Sequence, residues 1–180
     1  MEIILVTGIV NSGKTTLMEE LAEQESLQGN SLSGIIAPGV FKEGEKIGFD
    51  VTDLSTGHSK PLARAGNSGM RGFSAGRFVF SNEGLNFAKK ALLNFRPGGV
   101  VFLDEVGPLE LNGGGYTGCL RRLLRSDIGR LYISVRHECL PAVRRKFLFP
   151  RPATVMETES FAGDMRLAHL IRKCDVGSWR

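Results

Sequence analysis

Residues 8–16 read GIVNSGKTT, and the residues ahead of them, 2–8, read EIILVTG. The nonapeptide fits the phosphate-loop pattern G-x-x-x-x-G-K-[ST], with Gly8, Gly13, Lys14 and Thr15 at its fixed positions. The apolar run before it reads as a buried strand ending at Gly8. After it, Leu17, Met18, Leu21 and Ala22 recur at helical spacing, with Glu19, Glu20, Glu23 and Glu25 on the other side. That helix is expected to stop before Gly29. Strand, glycine loop and helix in immediate succession are what a phosphate loop needs. Gly8 and Gly13 permit a tight path, so that the backbone N–H groups of Ile9, Val10, Asn11 and Ser12 turn toward a β-phosphate. The helix start adds its positive dipole end at the same point. Lys14 is expected to bridge β- and γ-phosphate oxygens, Thr15 to ligate Mg²⁺, and Thr16 to reach an α-phosphate.

A second stretch supplies the acids. Residues 100–111 read VVFLDEVGPLEL. Four apolar residues form a buried strand, and Asp104 and Glu105 follow without a break. Carboxylates at the end of a buried strand are costly unless a cation or a reacting group uses them. With a phosphate loop present, Asp104 is assigned to hold Mg²⁺ together with Thr15, and Glu105 to polarise the attacking water. Glu110 is open to a supporting or a capping role. Charge developing on the γ-phosphoryl needs a further cation. Arg77 and Arg136 are the candidates, Arg136 because it ends a strand at the carboxyl edge of the sheet. Arg71 lies in a Gly/Ser-rich loop and is a weaker candidate.

The remaining chain alternates between strands and helices. LSGIIAP is a short strand, and residues 38–66 alternate as an antiparallel hairpin or meander around KEGEK. RAGNSGMRGFSAGR reads as a loop, RFVFS as a strand, and Ser81 or Asn82 as the cap of a helix running through Asn94. Further helices are expected around Tyr116–Leu124, Leu140–Phe147 and Asp164–Lys173, with strands at RLYISV and PATVMET. This order predicts an α/β domain over 1–180: a mostly parallel sheet with helices on both faces, an antiparallel hairpin extension, and a flexible tail from about 175 to 180.

The chain has 180 residues, 42% of them hydrophobic and 23% charged, with a net charge of +4, which suits one globular domain. Mild basicity fits an anionic small-molecule site better than a nucleic-acid surface. Cys119, Cys139 and Cys174 form no CxxC pair and sit among apolar neighbours, so buried thiols are expected. His58, His137 and His169 make no metal constellation. No segment reads as a signal peptide or membrane span, so a cytoplasmic protein is expected. An Asn-Lys-x-Asp string, which a GTPase switch would carry, does not occur. A small-molecule or nucleotide kinase, and a nucleotide-binding accessory protein in cofactor assembly, stay open as alternatives to a hydrolase.

Three stretches together, GIVNSGKTTL, SGIIAPGVFKEGEKIGFDVTDLSTG and VVFLDEVGPLEL, give a resemblance to a known family. The chain resembles the small P-loop nucleoside-triphosphatases of thermophile type, called cancer-related nucleoside triphosphatase in vertebrates. The resemblance covers roughly residues 1–160. It implies a RecA-like core and slow Mg²⁺-dependent hydrolysis of ATP, GTP and other nucleoside triphosphates. It also supports residues 8–16 as the phosphate site and Asp104 and Glu105 as the magnesium and water-activating acids. NGGGY and AGNSGMRG depart from the family pattern, and CDVGSWR has no counterpart in it.

Overall fold

The computed structural model describes residues 1–66, 69–158 and 169–172. Its strands form a single sheet in the order β11-β10-β1-β9-β8-β2-β4-β5-β7-β6, with β3 paired to β4. The strands are β1 Glu2–Gly8, β2 Leu32–Ile36, β3 Gly39–Lys42, β4 Glu45–Asp53, β5 Ser59–Ala65, β6 Gly72–Ala75, β7 Phe78–Ser81, β8 Val100–Val106, β9 Arg130–Arg136, β10 Thr154–Thr158 and β11 His169–Arg172. The run β10-β1-β9-β8-β2 is parallel throughout. From β2 outward through β4, β5, β7 and β6 every pairing is antiparallel.

Alternation along the central strands sorts their side chains onto two faces. Ile4, Val6, Val100, Phe102 and Tyr132 face α1 (Lys14–Leu27) and pack with its Leu17, Met18, Leu21 and Ala22. Ile3, Leu5, Val101, Leu103, Leu131 and Ile133 face the other way. There they join Leu85, Ala88 and Leu92 of α2 (Asn82–Leu93) and Leu120 and Leu123 of α4 (Thr117–Leu123). Both faces of the parallel half are thus covered by helices, as the sequence order predicts.

The expected elements appear with four differences. The segment read as a loop contains β6. Gly72 lets β6 lie so close to β7 that a Cβ there would come within 1.7 Å of the Phe80 carbonyl oxygen, and Phe73 stacks on Phe80 at 5.6 Å. Packing between strands outweighs a turn-like composition there. A short α3 (Pro108–Leu111) follows β8. The helix expected from Leu140 begins as α5 (Leu140–Val143) and widens into a π-helical turn over Arg144–Leu148. His169–Arg172 is a strand on the open edge of β10, where the sequence spacing predicts the end of a helix. The beginning of that helix, Cys174 and the expected tail lie outside the described residues.

One buried residue departs from its expected place. Glu25, assigned by spacing to the polar side of α1, is buried. It accepts hydrogen bonds from Tyr132 Oη at 2.7 Å and Asn30 Nδ2 at 2.6 Å, and it pairs with Arg130. Burial pushes its carboxyl upward, but the hydrogen bonds from Tyr132 and Arg130 outweigh burial and hold it below the ordinary value. Cys119 and Cys139 are free and buried, as expected. No described helix is long and apolar enough to cross a membrane.

Candidate active site

The phosphate loop joins β1 to α1. Asn11 and Gly13 take left-handed backbone angles, φ 63° and 83°, and Gly13 is the N-cap of α1. Gly8 is required by crowding: a Cβ there would lie 2.1 Å from Thr158 Oγ1 and 2.4 Å from Ser12 Oγ. Those two hydroxyls bond to each other at 2.6 Å, and Thr158 donates to the Thr7 carbonyl at 3.1 Å. The loop is therefore pinned from β10, an attachment absent from the motif itself. Lys14 Nζ donates to the carbonyls of Gly8 at 3.1 Å and Ile9 at 2.6 Å. Burial lowers its pKa, opposed first by Glu105 and then by Asp104. Ile9 and Val10 are exposed, Thr15 is half-buried and Thr16 is exposed.

β8 does not touch β1. β9 lies between them and supplies a partner to each acid. Asp104, 2% exposed, accepts from the Ala37 N–H at 3.0 Å and from Ser134 Oγ at 2.5 Å, and the Thr15 hydroxyl bonds to it. Burial raises its pKa against those hydrogen bonds. Glu105 pairs with Arg136, Oε1 to Nε at 2.5 Å. That pairing outweighs burial, the largest opposing influence, and leaves Arg136 more strongly basic than usual. Register along β8–β9 shifts between Leu103 and Val106, where Leu103 faces Ile133 and Val106 faces Val135. The extra residue is a bulge at the acid pair, and a bulge re-aims side chains that strict alternation would send to opposite faces.

Asp104 and Glu105 both line a cavity of about 340 Å³. Arg77, Arg136, Glu110 and Tyr116 line it too, and Phe49, Leu62, Phe78 and Leu85 give it apolar walls. Among the described residues the buried Tyr116 hydroxyl has no hydrogen-bond partner, and its pKa is raised by burial and then by the charges of Glu110 and Asp104. Glu110 caps the turn after β8, accepting from the Gly107 N–H at 3.0 Å and the Tyr116 N–H at 3.1 Å. Burial raises its pKa.

The sequence-assigned residues converge unequally. Lys14, Thr15, Asp104, Glu105 and Arg136 are within mutual electrostatic or hydrogen-bonding reach. Arg77 reaches the cavity wall, but its guanidinium binds Glu45 Oε1 at 3.0 Å and the Lys46 carbonyl at 2.8 Å. Arg71 lines a separate cleft with Lys60 and Arg64. Ser134 and Lys46 carry no motif. A serine inside a buried strand needs a partner, and that was the available signal for Ser134.

Thr15 and Asp104 present hydroxyl and carboxylate oxygens side by side. Hard oxygen donors from only two side chains suit Mg²⁺, which completes its shell with phosphates and water. A buried carboxylate with a raised pKa is also one that a divalent cation would stabilise.

Comparison with known proteins places this geometry in a family. A family model described as NTPase matches residues 3–147. The chain belongs to that nucleoside-triphosphatase family. It is 32% identical over 149 residues to nucleoside-triphosphatase THEP1 of Methanosarcina barkeri, covering 80% of this chain and 84% of the relative. The THEP1 protein of Archaeoglobus fulgidus is 32% identical over 148 residues, with 80% and 85% covered. Among solved structures, the human cancer-related nucleoside triphosphatase superposes with a TM-score of 0.61 at 28% identity, covering 76% of each chain. THEP1 of Aquifex aeolicus superposes at 0.58 and 19% identity, covering 87% of this chain and 89% of that one, a likeness of fold. The α/β P-loop fold is therefore shared with these two solved structures, and in this chain it carries an antiparallel extension.

Proposed function

We propose that this protein is a Mg²⁺-dependent nucleoside triphosphatase, hydrolysing ATP, GTP and other nucleoside triphosphates to diphosphate and phosphate at a modest rate. Family membership supports phosphohydrolase activity. The observation that carries the residue assignment is that Arg136, in register with Gly8 at the start of the phosphate loop, pairs with Glu105 beside the buried Asp104.

In this reading the loop of Gly8, Ile9, Val10, Asn11, Ser12 and Gly13 cradles the phosphates with backbone N–H groups, and Thr16 reaches the α-phosphate. Thr15 and Asp104 would hold Mg²⁺, which when bound neutralises charge on the phosphate oxygens. Ser134 and the Ala37 N–H fix the Asp104 carboxylate at a set angle. Glu105 takes a proton from water as the water oxygen bonds to the γ-phosphorus. The bond from that phosphorus to the β–γ bridging oxygen breaks, and the diphosphate leaves with the electron pair. Glu105 returns the proton to solvent. In this reading Arg136, held beside Glu105, meets the γ-phosphoryl.

The test is phosphate release from ATP, GTP, CTP and UTP, with and without Mg²⁺. Release from all four that disappears on chelation is expected. Tight nucleotide binding with no release at saturating Mg²⁺ would refute the reading in favour of an accessory role. A second reading is favoured by the apolar walls of the cavity beside Glu105, which suit an organic acceptor of the phosphoryl group better than water alone. Diphosphate formed in excess of free phosphate when a hydroxylated small molecule is added would mark that kinase activity.

A further inference from the structure

The hairpin of β3 and β4 brings a lysine onto the phosphate loop. Lys46 Nζ donates to Asn11 Oδ1 at 2.9 Å, across 35 residues of chain. Asn11 occupies the middle of the loop that cradles phosphate, in a left-handed conformation with φ 63°. The ammonium also lies over two aromatic rings, 5.4 Å from the Phe41 centroid and 5.1 Å from that of Phe49. Ring faces attract a cation, so this charge has a fixed position instead of a freely solvated arm. The strand beneath it is held as well. Arg77 reaches across from the turn between β6 and β7 to the Lys46 carbonyl at 2.8 Å and the Glu45 carboxylate at 3.0 Å.

The chemistry of the Asn11 contact decides what the ammonium is free to do. An amide oxygen accepts a hydrogen bond from one of the three ammonium N–H groups and neutralises none of the positive charge. A cation fixed one hydrogen bond from a phosphate-binding loop, and paired there with a neutral group, is matched to an anion in that loop. Lys14 approaches from inside the loop, through the carbonyls of Gly8 and Ile9. Lys46 approaches from outside, from the antiparallel extension.

We propose that Lys46 is a further catalytic residue. Its ammonium contacts the triphosphate from the outer side of the loop and neutralises charge that grows as the γ-phosphoryl departs. Asn11 positions that ammonium, and Arg77 positions the strand that carries it. This proposal rests on the triphosphatase reading above.

Lys46→Met tests it, because methionine keeps an apolar stem over Phe41 and Phe49 and removes the charge. The kcat for ATP is expected to fall by at least about 10²-fold, with KM within about threefold of the wild type. Lys46→Arg is expected to keep kcat within about tenfold of wild type, since a cation on a long stem is restored. Ammonium chloride, which supplies the missing head group as a free ion, should raise the methionine variant's kcat at least about tenfold. Sodium chloride at equal ionic strength should not. Lys42→Met, on the exposed part of the same hairpin, should stay within about twofold of wild type because a solvated lysine contributes little. A Lys46→Met enzyme with kcat within about threefold of wild type overturns the proposal. So does a deep loss that neither arginine nor ammonium relieves, which would leave Lys46 a support of the hairpin. Absence of phosphate release from the wild type would instead defeat the triphosphatase reading itself.

Discussion

The two halves of the sheet reach the same site by opposite routes. In the parallel half, strands distant in sequence lie side by side, and the groups assigned to the proposed site stand toward the strands' carboxyl ends: the phosphate loop after β1, Asp104 and Glu105 on β8, Ser134 and Arg136 on β9. In the antiparallel half, consecutive strands pair with near neighbours, and the groups that reach the site come from a hairpin and a turn. Lys46 and Arg77 are its contributions. On the reading proposed above, the parallel half supplies acids and a nucleotide cradle. The antiparallel half supplies positive charge and apolar cover. On that reading, a core of this kind can keep its binding chemistry while an appended meander sets what surrounds the γ-phosphoryl.

The sharpest way to isolate the parallel half is Glu105→Gln. It keeps the shape and removes the base, so nucleotide binding should persist while hydrolysis falls by at least about 10²-fold. Phosphate release and nucleotide titration on the same sample measure both, and unchanged release would remove Glu105 from the mechanism. Gly48→Val attacks the other half. A Cβ at Gly48 would meet the Ala63 carbonyl oxygen at 2.2 Å, so β4 and β5 must separate. The expected loss is about 1–3 kcal/mol of stability by overpacking, with a lower kcat, since Lys46 is two residues away on the same strand. Thermal melts alongside turnover would show whether the extension acts only through folding.

The smallest effect comes from Glu25, under α1 and away from the extension. Glu25→Gln should cost about 1 kcal/mol at pH 7, the worth of a typical hydrogen-bonded partner. The wild-type carboxyl titrates below its ordinary 4.5 in the fold. Its stabilising contribution is thus complete above that value and is lost as pH falls through the lowered folded pKa. The gap between variant and wild type should close in acid. A gap independent of pH would mean that packing, not charge, holds Glu25.

Much of this was legible in the residue order. The glycines of GIVNSGKTT stand out because only a few backbone paths can turn N–H groups onto a phosphate, and those paths fix the spacing. The acid pair stands out because charge is anomalous at the end of an apolar strand. Lys46 was not legible. It sits in KEGEK, where charged neighbours make each lysine look like a solvated tip, and its partner Asn11 lies far away along the chain. Arg77 was singled out, yet the backbone and carboxylate it grips belong to β4, which no local pattern could reveal. Glu25 misled because helical spacing assigns it a face without knowing that Arg130 and Tyr132 of β9 wait beneath that face.

The place of β9 has a consequence for how the protein is made. The two motif-bearing strands are never neighbours, and the strand that separates them begins only at Arg130, later in the chain than both. A nascent chain ending before that residue already contains GIVNSGKTT and VVFLDE but has neither Ser134 to orient Asp104 nor Arg136 to hold Glu105. Contacts of such long sequence separation form late and slowly. If Asp104 and Glu105 act as proposed, catalytic competence arrives with the insertion of one late strand, and the growing chain carries both acids unassembled until then.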